Sequence, residues 1–392
     1  MRLLILYFLL LTCSSICSSQ DINTSILNEI QIKAKASHSD ALIIIKDGKT
    51  LVENYYDQKE IPIYIASAGK SLVNLAIGKL LEKNLLDSLD QRVHTLFPEW
   101  KQGMKKDITI RMLLNHTSGI QNYQNASIEL EPAPDYQVQD VIDLALAAEL
   151  TDTPGNTFSY NNKAVALLGG IVEKASGLRF DDFFIEHFYK PMDIADYNWV
   201  KDKSGNPTTH GAFYIKPSDL IKFGQLVLHK GVYNEKRIIS ESWVAKSLDQ
   251  GQAFDPRFGL LWWRKPAFEK RIIDNSVWES WKEARVNKTF MRQLKPLKNQ
   301  LFQSKESFYE ALSTILGDEW SRAFSKEIPT SVQSSKRIFS DRIVAYYADG
   351  FRGNYLVIVP EKNIVAVRCA GPEGFNYETD FFREFVELII QL

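Results

Sequence analysis

Hydrophobic and polar positions follow two periods along this chain. Near the N-terminus, residues 41–56 (ALIIIKDGKTLVENYY) contain two runs rich in β-branched residues on either side of Asp47-Gly48. An Asp-Gly pair between such runs is typical of a β-hairpin. From Ser67 onwards, apolar residues recur every three to four positions, which predicts a helix buried on one side.

The later segments extend this pattern. Helical periods occur near 108–115, 138–149, 163–175, 217–230 and 240–248, and amphipathic helices are predicted at 21–39 and 381–392. Strand-like runs occupy 258–263 and 342–350, and residues 354–371 read as a hairpin. Because strands lie towards both ends with helices between them, we predict an α+β fold in which one antiparallel sheet, built from both termini, is flanked by helices.

Residues 264–340 interrupt this arrangement. The segment is charged, aromatic and helix-like, and it separates two strand candidates that would otherwise form a hairpin. We interpret it as an inserted helical region within a single domain spanning 20–392.

Composition narrows the class of protein. The 392 residues are 45% hydrophobic and 12% aromatic, which is ample for a large core, and the formal net charge is −1. This balance favours neither nucleic acid nor an anionic membrane surface as a partner.

The first residues resemble an export signal. An early basic residue, a short apolar run and then small residues indicate a signal peptide over 1–19, cleaved after Ser19. We therefore predict a periplasmic or secreted protein. A lipoprotein anchored through Cys13 is the alternative, and it would be the only contact with a membrane. With Cys13 and Cys17 in the leader, Cys369 alone remains, so no disulfide framework is expected.

Two segments carry candidate chemistry. Ser67 and Lys70 lie three residues apart at a helix start, so the lysine side chain points back towards the hydroxyl that it could activate. The alternative is a serine cap followed by a solvated lysine. The second segment places Tyr160-Asn161-Asn162 before an apolar helix. There a phenol and an amide can face a pocket, or they can form only a capped turn with a half-buried ring.

The order of these segments is more specific than either one alone. Ser67-Ala68-Gly69-Lys70, LLNHTSGI at 113–120 and Tyr160-Asn161-Asn162 together resemble the serine β-lactamase-like family. The resemblance is to the branch that holds class C β-lactamases, D-Ala-D-Ala carboxypeptidases, esterases and 6-aminohexanoate-dimer hydrolases. Residues 211–231 and 348–368 are also similar to segments of that family. The resemblance covers about 40–263 and 341–392 and implies a β-lactamase/transpeptidase-like fold.

The resemblance implies roles for the matching residues. Ser67 would be the acylated nucleophile, and Lys70 and Tyr160 would share proton transfer in an order that the sequence leaves open. Asn162 would hold the lysine and a substrate amide. The backbone N–H groups of Ser67 and of a residue near Phe351 would form the oxyanion hole.

The chain departs from the family at the third motif. Class C β-lactamases have Lys-Thr-Gly where this chain has Ala348-Asp349-Gly350, so the cation expected to anchor a substrate carboxylate is missing. Arg352 is our candidate replacement, against the alternative of a solvated strand-edge arginine. We also predict that Trp262 and Trp263 line the pocket, unless one lies in the core and the other beneath the insertion. His116 is expected to order its loop.

These observations predict a serine hydrolase that forms an acyl-Ser67 intermediate on a small-molecule ester, amide or short peptide. No Gly-x-Ser-x-Gly, His-Glu-x-x-His or Cys/His cluster occurs, so neither a metal nor a cofactor is expected. Two alternatives stay open. One is an amidase or peptidase of the same fold acting on D-amino or cell-wall peptides, and the other is a non-catalytic binding protein on this scaffold.

Overall fold

The computed structural model describes residues 22–56, 59–122, 138–211, 213–329 and 332–392. The predicted leader at 1–19 lies outside the described residues. Within these ranges the strands are β1 (Ala41–Lys46), β2 (Lys49–Asn54), β3 (Ile63–Tyr64), β4 (Tyr197–Trp199), β5 (Phe213–Ile215), β6 (Val232–Tyr233), β7 (Lys236–Arg237), β8 (Trp263–Pro266), β9 (Glu269–Ile272), β10 (Leu301–Phe302), β11 (Lys336–Phe339), β12 (Ile343–Gly350), β13 (Asn354–Val359) and β14 (Ile364–Cys369).

Helices lie between and around these strands. They are α1 (Thr24–Ala36), α2 (Lys70–Glu82), α3 (Ile110–Leu114), α4 (Val141–Ala147), α5 (Asn162–Ser176), α6 (Phe180–Phe184), α7 (Pro217–Leu228), α8 (Glu241–Leu248), α9 (Asn275–Glu283), α10 (Lys288–Leu294), α11 (Lys305–Leu316), α12 (Trp320–Glu327) and α13 (Phe385–Gln391). No helix in the described ranges is long and apolar enough to cross a membrane.

One sheet organises the molecule. Its six strands run in the order β2-β1-β14-β13-β12-β8, and every neighbouring pair is antiparallel. β1 pairs along its whole length with β14, from Ala41 opposite Cys369 to Lys46 opposite Ile364. The two ends of the chain therefore build the centre of the sheet, as the strand pattern predicted.

Both faces of the central strands of this sheet are buried. Successive side chains of a strand point to opposite faces, and in β1 both sets are apolar. Leu42 and Ile44 pack with α1 and α13, while Ile43 packs with the helical region. The helix α7 approaches this second face closely at Gly224, where an added Cβ would lie 2.3 Å from Val365 Cγ1.

The insertion at 264–340 contains strands as well as helices. Besides α9 to α12 it contains a three-stranded sheet in the order β10-β9-β11, and its first residues continue β8 of the main sheet. Its apolar side chains form a separate cluster around Trp281, Phe308 and Leu312. The prediction missed β9 to β11 because these strands are only two to four residues long and half of their residues are charged.

The strand predicted at 258–263 was also misplaced. The strand begins only at Trp263, and residues 258–262 form a turn in which the Gly259 N–H donates to the Trp262 carbonyl at 2.9 Å. Leu261 adopts a left-handed conformation with φ of 60°. The turn is apolar because it packs against α2, where the side chains of Ser71 and Asn74 donate to the carbonyls of Leu261 and Leu260.

Candidate active site

The Ser67 hydroxyl and the Lys70 amine meet at the N-terminal end of α2. Ser67 lies in a 3₁₀ turn, Ala66–Gly69, and the α-helix begins at Lys70 itself. Lys70 Nζ lies 2.7 Å from Ser67 Oγ, and it also donates to the carbonyl of His210. Ser67 is half-buried at the surface of the turn, and Lys70 lies beneath it.

Burial changes the acidity of this lysine. The side chain lies inside the protein with Lys70 only 2% exposed, and the loss of solvation lowers its pKa from 10.5 to about 7. Desolvation disfavours the charged form of an amine. A substantial fraction of Lys70 is therefore neutral near neutral pH and able to accept a proton.

Tyr160 reaches the same point from the loop before α5. The Ser159 N–H donates to the His116 carbonyl at 2.9 Å, and Asn161 caps α5 through the Ala164 N–H. The Tyr160 ring centre lies 5.2 Å from Lys70 Nζ. Burial raises the pKa of the Tyr160 phenol, a hydrogen bond with Ser67 lowers it in part, and the nearby charge of Asp349 raises it further.

His116 supports the tyrosine from behind. The two ring centres are 4.6 Å apart, and His116 Nδ1 accepts the Asn161 N–H at 3.3 Å. Burial, with a smaller effect of the Lys70 charge, lowers the pKa of His116 to about 3. The imidazole is consequently neutral.

A narrow crevice opens above these groups. Within the described part of the chain it is lined by Ser67, Lys70, Ser71, His116, Tyr160, Phe258, Leu261, Trp263 and Asp349. Trp263 forms one wall, with its ring 6.3 Å from that of Tyr160 and nearly parallel to it. Phe258 lies edge-on to Trp263 at 4.9 Å. The reacting groups thus face a mainly aromatic space.

The end of β12 packs directly on the nucleophile turn. A Cβ added to Gly350 would lie 2.1 Å from the carbonyl oxygen of Ile65 and 3.1 Å from the backbone nitrogen of Ala68. Only glycine allows the two backbones to come this close. Gly350 therefore holds the backbone of Phe351, the next residue, beside the Ser67 turn.

Three strained backbone positions lie around the crevice. Three non-glycine residues, Ala66, His116 and Leu261, have φ of 49°, 59° and 60°. The left-handed region costs such residues about 1–3 kcal/mol each, and the strain persists only where surrounding contacts impose it. Each of the three lies on the crevice wall or next to Ser67, so packing fixes the geometry of the site.

Asp349 brings a carboxylate to the mouth of the crevice. Its side chain is exposed there, yet the surrounding protein removes part of its solvation and raises its pKa to about 6, an effect that Arg383 opposes. Among the described residues it makes no hydrogen bond within the protein and no ion pair. The sequence-based prediction noted that Ala348-Asp349-Gly350 lacks the lysine of Lys-Thr-Gly, but it overlooked the carboxylate of Asp349.

Arg352 does not lie in the crevice wall, where we predicted a cation that would replace the missing lysine. Its φ of 67° turns the backbone after β12, and the side chain is only 1% exposed. The guanidinium lies 5.8 Å from the Tyr64 ring centre and 5.6 Å from that of Phe351, away from the crevice wall. Phe351 itself is 44% exposed, and its ring packs 5.7 Å from that of Tyr377.

Two further predicted residues lie outside the crevice wall. Trp262 is only 1% exposed and belongs to the main core, so of the tryptophan pair only Trp263 faces the crevice. Asn162 opens α5, and its backbone N–H donates to Asn122 Oδ1 at 2.8 Å. Its own Oδ1 is buried without a hydrogen bond to the described residues. Lys70 donates to Ser67 Oγ and to the His210 carbonyl instead of to Asn162.

Sequence reasoning missed the His210 carbonyl, which accepts a hydrogen bond from Lys70. The residue sits in an irregular segment before β5, far from Lys70 along the chain, and no motif marks it. Ser71 was not predicted either; it lines the crevice, and its hydroxyl donates to the Leu261 carbonyl in the 258–262 turn. Within the described ranges, no group of three or more His, Cys, Asp or Glu side chains could hold a metal ion.

The fold and the placement of Ser67 beside Lys70 and Tyr160 agree with a β-lactamase-like serine hydrolase. The sequence model of the Beta-lactamase family matches residues 29–370, and the chain belongs to that family. This membership supports a serine hydrolase that acts on amides or esters.

Individual relatives agree with this assignment. The chain is 28% identical over 190 residues to protein flp of Staphylococcus aureus, which covers 45% of this chain and 37% of that protein. It is 23% identical to the 6-aminohexanoate-dimer hydrolase of Paenarthrobacter ureafaciens, covering 57% of this chain and 61% of that protein. The chain thus spans less than two thirds of either relative.

A solved structure supports the fold. The class C β-lactamase of Rhodobacter sphaeroides superimposes with a TM-score of 0.56 at 13% identity and covers 94% of this chain and 99% of that one. The predicted α+β, β-lactamase/transpeptidase-like fold is confirmed.

Proposed function

We propose that this chain is a serine hydrolase that cleaves a small ester or amide through an acyl-Ser67 intermediate. The observation that carries the proposal is the 2.7 Å contact between Ser67 Oγ and the buried Lys70 Nζ. A hydroxyl becomes an effective nucleophile when a base lies within hydrogen-bond reach. A lysine serves as that base when burial keeps part of it neutral.

The acidities favour Lys70 over Tyr160 as the first base. Burial lowers the pKa of Lys70 to about 7 and raises that of Tyr160. In acylation, neutral Lys70 takes the Ser67 proton as Oγ forms its bond to the substrate carbonyl carbon. The departing alcohol or amine then leaves with a proton delivered through Lys70 and Tyr160. Water subsequently attacks the ester, releases the acid and restores the Ser67 hydroxyl.

The negative oxygen of each tetrahedral intermediate requires donors. We assign this role to the backbone N–H groups of Ser67 and Phe351. The assignment is supported by the close approach of Gly350, the residue before Phe351, to the nucleophile turn. Preorganised backbone donors of this kind typically contribute about 3–4 kcal/mol to catalysis.

Fluorophosphonate labelling tests the proposal. The wild type should be labelled, Ser67→Ala should not, and Ser242→Ala, which removes an exposed hydroxyl on α8, should label like the wild type. Intact-mass analysis during turnover of a p-nitrophenyl ester should show one acyl group on the wild type alone. Equal labelling of the wild type and Ser67→Ala would falsify the proposal, and absence of labelling in both would favour a non-catalytic binding protein.

Three classes of substrate are candidates: esters, small amides and D-amino peptides. The crevice wall is largely aromatic and lacks the lysine of Lys-Thr-Gly, which favours a substrate without a carboxylate over a penicillin or a D-Ala-D-Ala peptide. Higher kcat/KM on D-Ala-D-Ala peptides than on uncharged esters would instead favour the peptidase.

We also propose that the chain is exported, on the strength of the signal-like sequence at 1–19. Expression with that segment, followed by cell fractionation and N-terminal sequencing, should recover a product in the periplasm or medium that begins at Gln20. A lipid-modified Cys13 in the membrane fraction would replace that proposal with the lipoprotein alternative.

A further inference from the structure

The charge of the crevice differs from that expected of an enzyme that binds a carboxylate. Among the described residues that line it, the ionisable side chains besides the tyrosine are Lys70, His116 and Asp349. His116 is neutral because of its burial. At about pH 8 most of Lys70 is neutral and Asp349 is ionised, so the crevice then carries a net negative charge.

No nearby group compensates the carboxylate directly. Asp349 forms no ion pair within the described part of the chain, and Arg383, the cation that affects it most, lies at the start of the C-terminal helix region outside the crevice wall. Arg352 does not line the crevice; its guanidinium lies 5.8 Å from the Tyr64 ring centre and 5.6 Å from that of Phe351.

Aromatic rings surround the same space. Tyr160, Phe258 and Trp263 line the crevice together with Asp349, and the Tyr160 and Trp263 rings stack at 6.3 Å. A carboxylate among aromatic faces is the combination that binds ammonium groups, since both the negative charge and the ring quadrupoles attract a cation. A substrate carboxylate would meet a like charge there and be disfavoured.

We propose that Asp349 makes this site selective for substrates that carry an alkylammonium group close to the scissile carbonyl. The inference rests on the proposed hydrolase function and specifies its substrate class. Asp349 acts as a specificity residue that pairs with the substrate cation, while Ser67, Lys70 and Tyr160 perform the chemistry.

Matched esters that differ only in charge provide the test. One pair places the cation in the alcohol: choline butyrate and neohexyl butyrate, in which carbon replaces nitrogen. The other pair places it in the acyl group: the p-nitrophenyl esters of γ-butyrobetaine and of its neutral carbon isostere. The measured quantity is the ratio of kcat/KM for the cationic ester to that for its neutral partner, at about pH 8 and low salt.

The wild type should prefer the cationic ester by about tenfold in at least one pair. Asp349→Asn should bring that ratio close to one, and Asp349→Lys should invert it. Asp341→Asn, which removes an exposed carboxylate before the other end of β12, should keep the wild-type ratio. Because each ratio is taken within one variant, any general effect of the substitution on Tyr160 or on folding cancels.

The failures of the two proposals are distinguishable. If the wild type labels at Ser67 but shows no preference within either pair, or hydrolyses neither cationic ester, the charge assignment is overturned and the hydrolase stands. An unchanged ratio in both Asp349→Asn and Asp349→Lys has the same meaning. If Ser67→Ala hydrolyses the esters as fast as the wild type, the underlying function itself fails.

Discussion

Replacing Lys70 with methionine should make the protein inactive and, in mildly acidic solution, more stable. Met fills nearly the same volume as Lys, but it carries no charge into the interior. Lowering the pKa of Lys70 from 10.5 to about 7 corresponds to a preference of about 5 kcal/mol for the neutral amine in the folded state. Below about pH 7 the wild type bears this cost in full, because Lys70 is charged in both the folded and the unfolded chain.

The sign of the pH dependence follows from proton binding. Between about pH 7 and pH 10.5 the unfolded chain binds one proton more than the folded chain, so the stability of the wild type rises with pH. Lys70→Met lacks this contribution. Its stability relative to the wild type should therefore fall by about 3 kcal/mol between about pH 6 and pH 9.5.

A loss of hydrogen bonds that does not depend on pH offsets part of the stability gained by Lys70→Met. Without the amine, the Ser67 hydroxyl and the buried His210 carbonyl lose their partner, which costs about 1–3 kcal/mol at every pH. We expect the variant to be about 2–4 kcal/mol more stable than the wild type at about pH 6 and similar to it at about pH 9.5.

Urea unfolding at several pH values measures this difference, and kcat/KM on a p-nitrophenyl ester follows activity. Lys83→Met, which replaces an exposed lysine just after α2, is the control, and its stability difference should not vary with pH. If Lys70→Met and the wild type differ by the same free energy at every pH, the amine is not destabilised by burial. The argument for Lys70 as a neutral base then fails.

Three further outcomes are expected. The kcat/KM of the wild type should increase about tenfold per pH unit below about pH 7 and level off above it, as Lys70 loses its proton; a profile flat from about pH 5 to pH 9 would contradict this. Tyr160→Phe keeps the ring against His116 and Trp263 but removes the hydroxyl, so kcat should fall about 10²–10⁴-fold with unfolding unchanged; activity near that of the wild type would remove Tyr160 from proton transfer. Gly350→Ala places a methyl group 2.1 Å from the Ile65 carbonyl oxygen, which should push β12 away from the nucleophile turn. We expect kcat/KM to fall about 10²-fold and the free energy of unfolding in urea to fall by about 1–3 kcal/mol. Unaltered kinetics would show that this packing is irrelevant to the oxyanion donors.

The parts of the fold that local chemistry determines were predictable from the sequence. Asp47 and Gly48 both adopt positive φ, 51° and 73°, as their turn requires, and the hairpin of β1 and β2 follows. The helices after Ser67 and Asn161 were found from their apolar periods. Helix termini differ by a few residues, because caps and 3₁₀ turns such as Ala66–Gly69 end the regular structure.

The predictions failed where contacts between distant segments decide the conformation. Leu261 has no local preference for a left-handed backbone, and hydrogen bonds from α2 impose it. Nothing in the local sequence states that Asp349 faces the crevice while Arg352 turns beneath it. That choice depends on the positive φ of Arg352 and on the buried Arg368, whose guanidinium donates to the Arg352 carbonyl at 2.6 Å.

The pairing of β1 with β14 also constrains how the protein is made. The ribosome synthesises Ala41 long before Cys369, its partner across the sheet. One hydrogen-bonding edge of β1 therefore remains unpaired during most of translation. Such an edge invites mispairing with other chains. The nascent protein should accordingly depend on chaperones or delayed folding until its last strands emerge, and its Ser67 turn should lack the support of β12 until then.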